Sequence, residues 1–247
     1  DNSDSIFVHN RLDIPLDMRN RAILYSLQST TDVLLRDINI QKDYIKNPPR
    51  AIFVNSNTAK LALGKIGIKT LLLYKPNRIK IPSECPELIR EKKVLWYWND
   101  WIDRYQYMQE SKEHIEKIMR QMNDIEILIC PCKKPLINAD NIKALGYINL
   151  AEIALQVQGI IRIAGEFDFG RSTFDMLANG KWVLYNKKND MYINSVENIE
   201  DIPSITRELI AHYTQMEANK RWQYIKDNFN EKAIHNCWCN VIKAVLK

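Results

Sequence analysis

Short apolar runs of three to five residues alternate along this chain with longer amphipathic stretches, and that alternation restricts it to an α/β fold with parallel sheets. Ile6-Phe7-Val8, Ala51–Val54, Thr70–Tyr74, Val94–Trp98, Glu126–Ile129, Ile160–Ala164 and Trp182–Tyr185 are the main strand candidates. Between and after them, Leu16–Leu27, Thr58–Ile66, Asp103–Met122, Leu150–Gln158, Ser172–Ala178, Ile205–Met216 and the region 217–246 read as helices. Ala139–Leu145 reads as a short helix or turn, and Gly146-Tyr147-Ile148 as a short strand. Lys75–Glu91 is rich in proline and charge, shows little periodicity, and reads as the link between two such units. Sheets of this kind take their ligands at the carboxyl ends of the strands.

Composition removes several classes. With 46% hydrophobic and 26% charged residues, the chain is globular. The 35 Lys and Arg against 30 Asp and Glu leave +5, scattered, with no dedicated nucleic-acid footprint. No apolar stretch approaches the roughly 18 residues of a membrane span, and no signal peptide is expected. The seven glycines form neither G-x-G-x-x-G nor G-x-x-x-x-G-K-[ST], which argues against a dinucleotide turn or a Walker loop. Five cysteines, an odd number, suit a reducing compartment, and the expected location is the cytoplasm, including its membrane face.

One segment is more specific. Gly159–Tyr185 runs strand, acidic loop, Phe169-Gly170, a helix with Asp175 near its start, then Ala178-Asn179-Gly180-Lys181-Trp182-Val183. It resembles the donor-binding motif of GT-B glycosyltransferases, most closely the retaining, glycogen-synthase-like and mannosyltransferase-like branch. Ala51–Lys60 and Gly67–Pro76 resemble the end of that family's N-terminal domain, and Ile6–Asn10 the strand that ends in a histidine near the acceptor. The resemblance implies an α/β, GT-B-like fold of two Rossmann-like domains with parallel sheets, the N-terminal one reduced. Its divisions are residues 1–80 for the acceptor side, 81–92 for the linker, and 93–216 for the nucleotide-sugar-binding domain. Residues 217–247 are expected as C-terminal helices packing back toward the N-terminal domain.

The implied activity is transfer of a hexose from a nucleotide diphosphate sugar to a hydroxyl on a carbohydrate, lipid-linked or protein acceptor, with retention and without a metal or other cofactor. A helix opening near Ser172 offers free backbone N–H groups and a positive dipole end to a diphosphate. Arg171 and Ser172 add side-chain donors there. By the resemblance, Asp175 receives the ribose hydroxyls, Glu166 or Asp168 the donor sugar, and His9 lies at the acceptor side. Tyr147 and Gly170 join the donor site. The family holds the phosphates with an Arg and a Lys about five residues apart; here those positions are Asn99 and Arg104, and Arg162 stands ready to compensate. Glu166 to Asp175 is one residue longer than the family's Glu-x7-Glu, and its second acid is Asp.

Other readings stay open. Glu166-Phe167-Asp168 mimics the acid-x-acid metal motif of GT-A transferases. An inactive nucleotide-sugar-binding module or a nucleic-acid-associated protein would use the same residues differently. Cys130-Pro131-Cys132 and His235-Asn236-Cys237-Trp238-Cys239 invite zinc, but their C-x-C spacing is too tight for the usual pairs. Trp96, Tyr97, Trp98, Trp101, Tyr105 and Tyr107 are expected as core at the domain junction. Self-association, or a partner chain completing the short N-terminal domain, is also consistent with the resemblance.

Overall fold

The computed structural model describes residues 5–26, 28–73, 79–98, 112–132, 137–163, 170–186 and 192–246. The chain divides into two units. The first holds the described residues up to Leu73 together with those from Glu231 onward; the second holds Ile79 to Asn230.

The first unit is built on four parallel strands, β1 (Ile6–His9), β2 (Ala22–Ser26), β3 (Ala51–Val54) and β4 (Leu71–Leu72), in that spatial order. Strand pleating sends alternate residues to opposite faces. Ala22, Leu24, Ile52 and Val54 meet helices α2 (Gln28–Arg36), α3 (Ile38–Lys46) and α4 (Asn57–Lys65), through Leu34, Tyr44, Ala59 and Leu63. A one-turn helix, α1 (Leu16–Arg19), precedes them. Local chemistry sets the helix ends. Asp37 caps α3 by accepting from the N–H of Asn39 and Ile40, and Ser56 caps α4 by accepting from Ala59. Gly67, at φ +85°, turns the chain out after α4.

The second unit contains β5 (Lys93–Tyr97), β6 (Glu126–Cys130), β7 (Ile142–Ala144), β8 (Gly159–Arg162), β9 (Trp182–Tyr185) and β10 (Asn194–Ser195). Their spatial order is β10-β9-β8-β5-β6-β7, all parallel. This is the doubly wound order, in which the chain leaves β5 in one direction and returns at β8 to build in the other. One face packs on α5 (Lys112–Arg120) and α8 (Ile202–His212), with Val94, Trp96, Ile127, Ile129, Ile161, Trp182 and Leu184 in the core. The other face receives α7 (Arg171–Ala178), on which α9 (Gln215–Asn228) lies, with Phe174 and Phe229 4.9 Å apart. A short helix, α6 (Leu150–Ile153), also packs against α7. Gly159 is the floor of this sheet: a Cβ there would enter the Trp182 ring.

Residues 79–92 are strapped to α9, where Trp222 donates to the Pro82 carbonyl (3.1 Å) and Gln215 to that of Pro86 (3.2 Å). The last helix, α10 (Glu231–Leu246), belongs to the first unit. It covers the second face of that unit's sheet with Trp238, Val241 and Val245 against Ile23, Tyr25, Phe53 and Leu73.

Three sequence expectations need correction. Leu16–Leu27 is not one helix: it breaks after Arg19 and becomes β2, whose five residues are all buried. A strand buried on both faces is apolar throughout and loses its period of two, so it mimics a buried helix. Ala139–Leu145 contains strand β7, and Gly146-Tyr147-Ile148 is the loop after it, turned by Gly146 at φ +67°. Trp96 and Trp98 are buried inside the second unit, as part of its own core. Trp101, Tyr105 and Tyr107 lie outside the described residues, as does Asp103–Ser111 of the expected long helix.

Candidate active site

The reversal of strand order between β5 and β8 is the topological switch point, the place where doubly wound sheets bind ligands. At the carboxyl ends of the strands, pairing aligns Cys130, Tyr97, Arg162 and Tyr185 in one transverse row. Residues directly opposite share a face, and this row faces the α7 side. Arg162 is 4% exposed, the charged member of an otherwise uncharged row. Its guanidinium lies 4.5 Å over the Tyr97 ring and donates through Nη1 to Ser172 Oγ, at the start of α7. Burial pushes the Cys130 thiol up to about 12, so it stays protonated beside this cation.

Gly170 caps α7 with extended backbone and no side-chain hydrogen bond. The absent side chain has a reason. A Cβ on Gly170 would stand 2.9 Å from Arg162 Cζ, with Nη2 nearer still. The guanidinium therefore fills the space directly under the helix N-terminus. Helix dipole and buried cation coincide there, and both favour an anion.

Asp175 is 6% exposed, one turn into α7. Burial pushes its carboxyl above the usual range, and Arg171 opposes that shift from 3.3 Å. The exposed Arg171 thus spans the first turn and holds a buried carboxylate. The helix closes on Asn179, whose amide donates to the Asp175 carbonyl (2.8 Å), and on Gly180 at φ +67°. Tyr213 donates to the Gly180 carbonyl at 2.7 Å. Next to it Lys181 is fully buried, its Nζ without a hydrogen-bond partner among the described residues, and burial lowers its pKa.

The structure thus brings Arg162, Gly170, Arg171, Ser172 and Asp175 to one end of one helix. Tyr147 stands 69% exposed on the loop after the edge strand β7, at the same carboxyl edge of the sheet. His9 ends β1 in the first unit, its ring stacked on Tyr25 at 5.8 Å. Asn99, Arg104, Glu166 and Asp168 lie outside the described residues. Sequence reasoning missed Tyr97 as a site residue. Its sequence signal was membership of the aromatic cluster expected as core, whereas the structure lays its ring under the Arg162 guanidinium. Among the described residues, no group of three or more His, Cys, Asp or Glu is arranged to hold a metal ion, and no helix is long and apolar enough to cross a membrane.

No protein-family model and no curated protein matches the sequence. Solved structures do match. S. aureus TarM, determined with fondaparinux, alpha-GlcNAc-glycerol and UDP, aligns at TM-score 0.61 and 12% identity, over 92% of this chain and 51% of that one. Sucrose-phosphate synthase from Thermosynechococcus elongatus aligns at 0.66 and 11% identity, over 91% and 67%. Anabaena HepE, determined with UDP and glucose, aligns at 0.63 and 11% identity, over 96% and 78%. The chain spans about half the length of TarM. Together with the two parallel, Rossmann-like sheets, these likenesses define the fold class as GT-B.

Proposed function

We propose that this chain is a glycosyltransferase that moves a hexose from a nucleotide diphosphate sugar to a hydroxyl acceptor. The observation that carries the reading is the buried Arg162 guanidinium under the glycine-capped start of α7, at the strand-order reversal. A nucleoside diphosphate is the ligand whose charge that arrangement complements. TarM and HepE, which share the fold, were each determined with UDP.

On this reading the second unit is the donor domain. Asp175 accepts from the ribose hydroxyls, with Arg171 at 3.3 Å opposing the effect of burial on its carboxyl. Arg162, Ser172 and the first N–H groups of α7 meet the diphosphate, and Arg104 adds a second cation. Charge grows on the leaving diphosphate as the glycosidic bond breaks, and a fixed cation in a dry site stabilises it without reorganising. Guanidinium groups and backbone N–H groups supply that stabilisation in place of a metal ion. Glu166 or Asp168 holds the sugar hydroxyls, Tyr147 flanks the base, and His9 belongs to the acceptor side. The resemblance of Gly159–Tyr185 supports retention of configuration. Five cysteines, an odd number, support a reducing, cytoplasmic setting. The place of β1 at the edge of its sheet among the described residues supports pairing with a further strand from a partner or a second copy.

The test is release of nucleoside diphosphate from UDP-, GDP-, ADP- and CDP-sugars, with and without manganese, by wild type and Arg162→Met. We expect release from one donor class, independent of manganese and reduced at least a hundredfold in the variant. Binding without release would support the inactive-module reading. Release that requires manganese would overturn the metal-free mechanism.

A further inference from the structure

The first unit carries a polar cluster at the carboxyl ends of β1 and β2. Asn10 takes left-handed backbone (φ +53°), which Asn tolerates better than other side-chain-bearing residues, and its N–H is fixed by the Tyr25 carbonyl at 2.8 Å. Its Oδ1 accepts from Thr30 Oγ1 at 2.7 Å. Ser26 Oγ lies 2.9 Å from Thr30 Oγ1 and 3.0 Å from Thr31 Oγ1. Ser26, Thr30 and Thr31 are all buried. Three hydroxyls and a carboxamide thus converge where parallel strands end, the position at which such sheets present ligands.

Thr30 also lines an open cleft of about 480 Å³, together with Leu12, Asp13, Val33 and Ile40. Three of these five residues are aliphatic, and none is aromatic. Val33, on the outward side of α2, is 41% exposed at its wall. The cleft therefore has a polar end, at Thr30 and Asp13, and an aliphatic flank, with the buried Ser26 and Thr31 hydroxyls outside its lining.

We infer that this cleft is the acceptor pocket, and that it takes an amphiphilic acceptor: a hydroxylated head bearing an alkyl chain. The inference rests on the transferase reading above and names the substrate class for its acceptor side. A bare sugar would use only the polar end and leave the aliphatic flank in water. An alkyl chain covers Leu12, Val33 and Ile40, while a head hydroxyl meets Thr30, whose hydroxyl the Asn10 and Ser26 side chains hold in place. Asp13, held at the rim by Arg11 (3.0 Å and 2.5 Å), adds an acceptor for a head hydroxyl.

Titration calorimetry of the full chain with n-alkyl β-D-glucopyranosides, butyl to octyl and below micelle formation, tests this. Each added methylene should tighten binding about fourfold until the flank is covered, and glucose itself should bind at least a hundredfold more weakly than the octyl compound. Val33→Asp, at an exposed position, should flatten the chain-length series. Thr30→Val should weaken every member by about the same factor and leave the slope intact. A series independent of chain length, or one that Val33→Asp leaves unchanged, overturns the inference. UDP, GDP, ADP and CDP binding on the same samples separates the two readings. Nucleotide binding with a flat alkyl series refutes the amphiphilic acceptor alone. A steep alkyl series without any nucleotide binding refutes the transferase.

Discussion

Gly170→Ala is a test whose sign depends on the Arg162 arrangement. Gly170 sits at φ −79° and ψ 159°, ordinary extended backbone for alanine. With free space around it, the substitution would stabilise the protein by about 0.4–1 kcal/mol, by restricting the unfolded chain. The space is occupied. Cζ of Arg162 would lie 2.9 Å from the new Cβ, and Nη2 nearer still, against an ordinary contact of roughly 3.5 Å, so the guanidinium must withdraw by more than about 0.6 Å. It is held on one side by the Tyr97 ring and on another by Ser172. Displacing it puts at risk a charged hydrogen bond of about 1.5–3 kcal/mol and a cation–π contact of about 0.5–2 kcal/mol. The net expectation is a loss of about 1–4 kcal/mol.

Urea unfolding of wild type, Gly170→Ala, Arg162→Leu and the double variant measures it. Tryptophan emission is the probe, since Trp96, Trp98 and Trp182 are buried in the second unit. Removing the guanidinium should remove the cost, so the cycle should return a coupling of about 1 kcal/mol or more. A Gly170→Ala protein more stable than wild type would refute the reasoning. So would an equal cost in both Arg162 backgrounds.

Other outcomes follow from the same geometry. Gly159→Ala drives a methyl into the Trp182 ring at the floor of the sheet, and should cost about 3 kcal/mol or more, or prevent folding, as read from soluble yield and the unfolding midpoint. Lys181→Met replaces a buried amine that has no hydrogen-bond partner among the described residues, and should add about 1–3 kcal/mol at pH 7. Because burial lowers the Lys181 pKa in the folded state, the unfolded chain binds the extra proton between that value and 10.5. Wild-type stability should therefore rise with pH across this window, and Lys181→Met should lose that rise in pH-dependent unfolding. Tyr97→Phe keeps the ring under Arg162 and should leave nucleotide affinity unchanged, whereas Tyr97→Leu should lower it about tenfold by calorimetry.

What the sequence made legible, and what it hid, divides along physical lines. The helix Ser172–Ala178 could be read directly, since a polar start, an apolar middle and an Asn179-Gly180 stop are all local signals. The strand–helix alternation from Val94 onward also carried through to the doubly wound sheet. Ala22–Ser26 failed because complete burial erases the strand period. Ile142–Ala144 failed because three residues beside Asn141 and Gly146 carry too little pattern to separate strand from turn. The bracket around Arg162 was hidden for a different reason. Tyr97 and Arg162 become neighbours only when β5 pairs with β8 in one register, and that register is set by the whole sheet. The empty space at Gly170 has the same origin: the glycine is visible in the sequence, but the side chain it makes room for is not.

On the proposed reading, the start of α7, with Arg162 beneath it, is a nucleoside diphosphate site. Calorimetric titration of the intact chain with UDP, GDP, ADP and CDP, for wild type and Arg162→Met, measures it most directly. Wild type should bind one of the four saturably, and a variant that remains folded should bind it at least a hundredfold more weakly. Equal affinity in both proteins, or binding of none of the four by folded wild type, would contradict it.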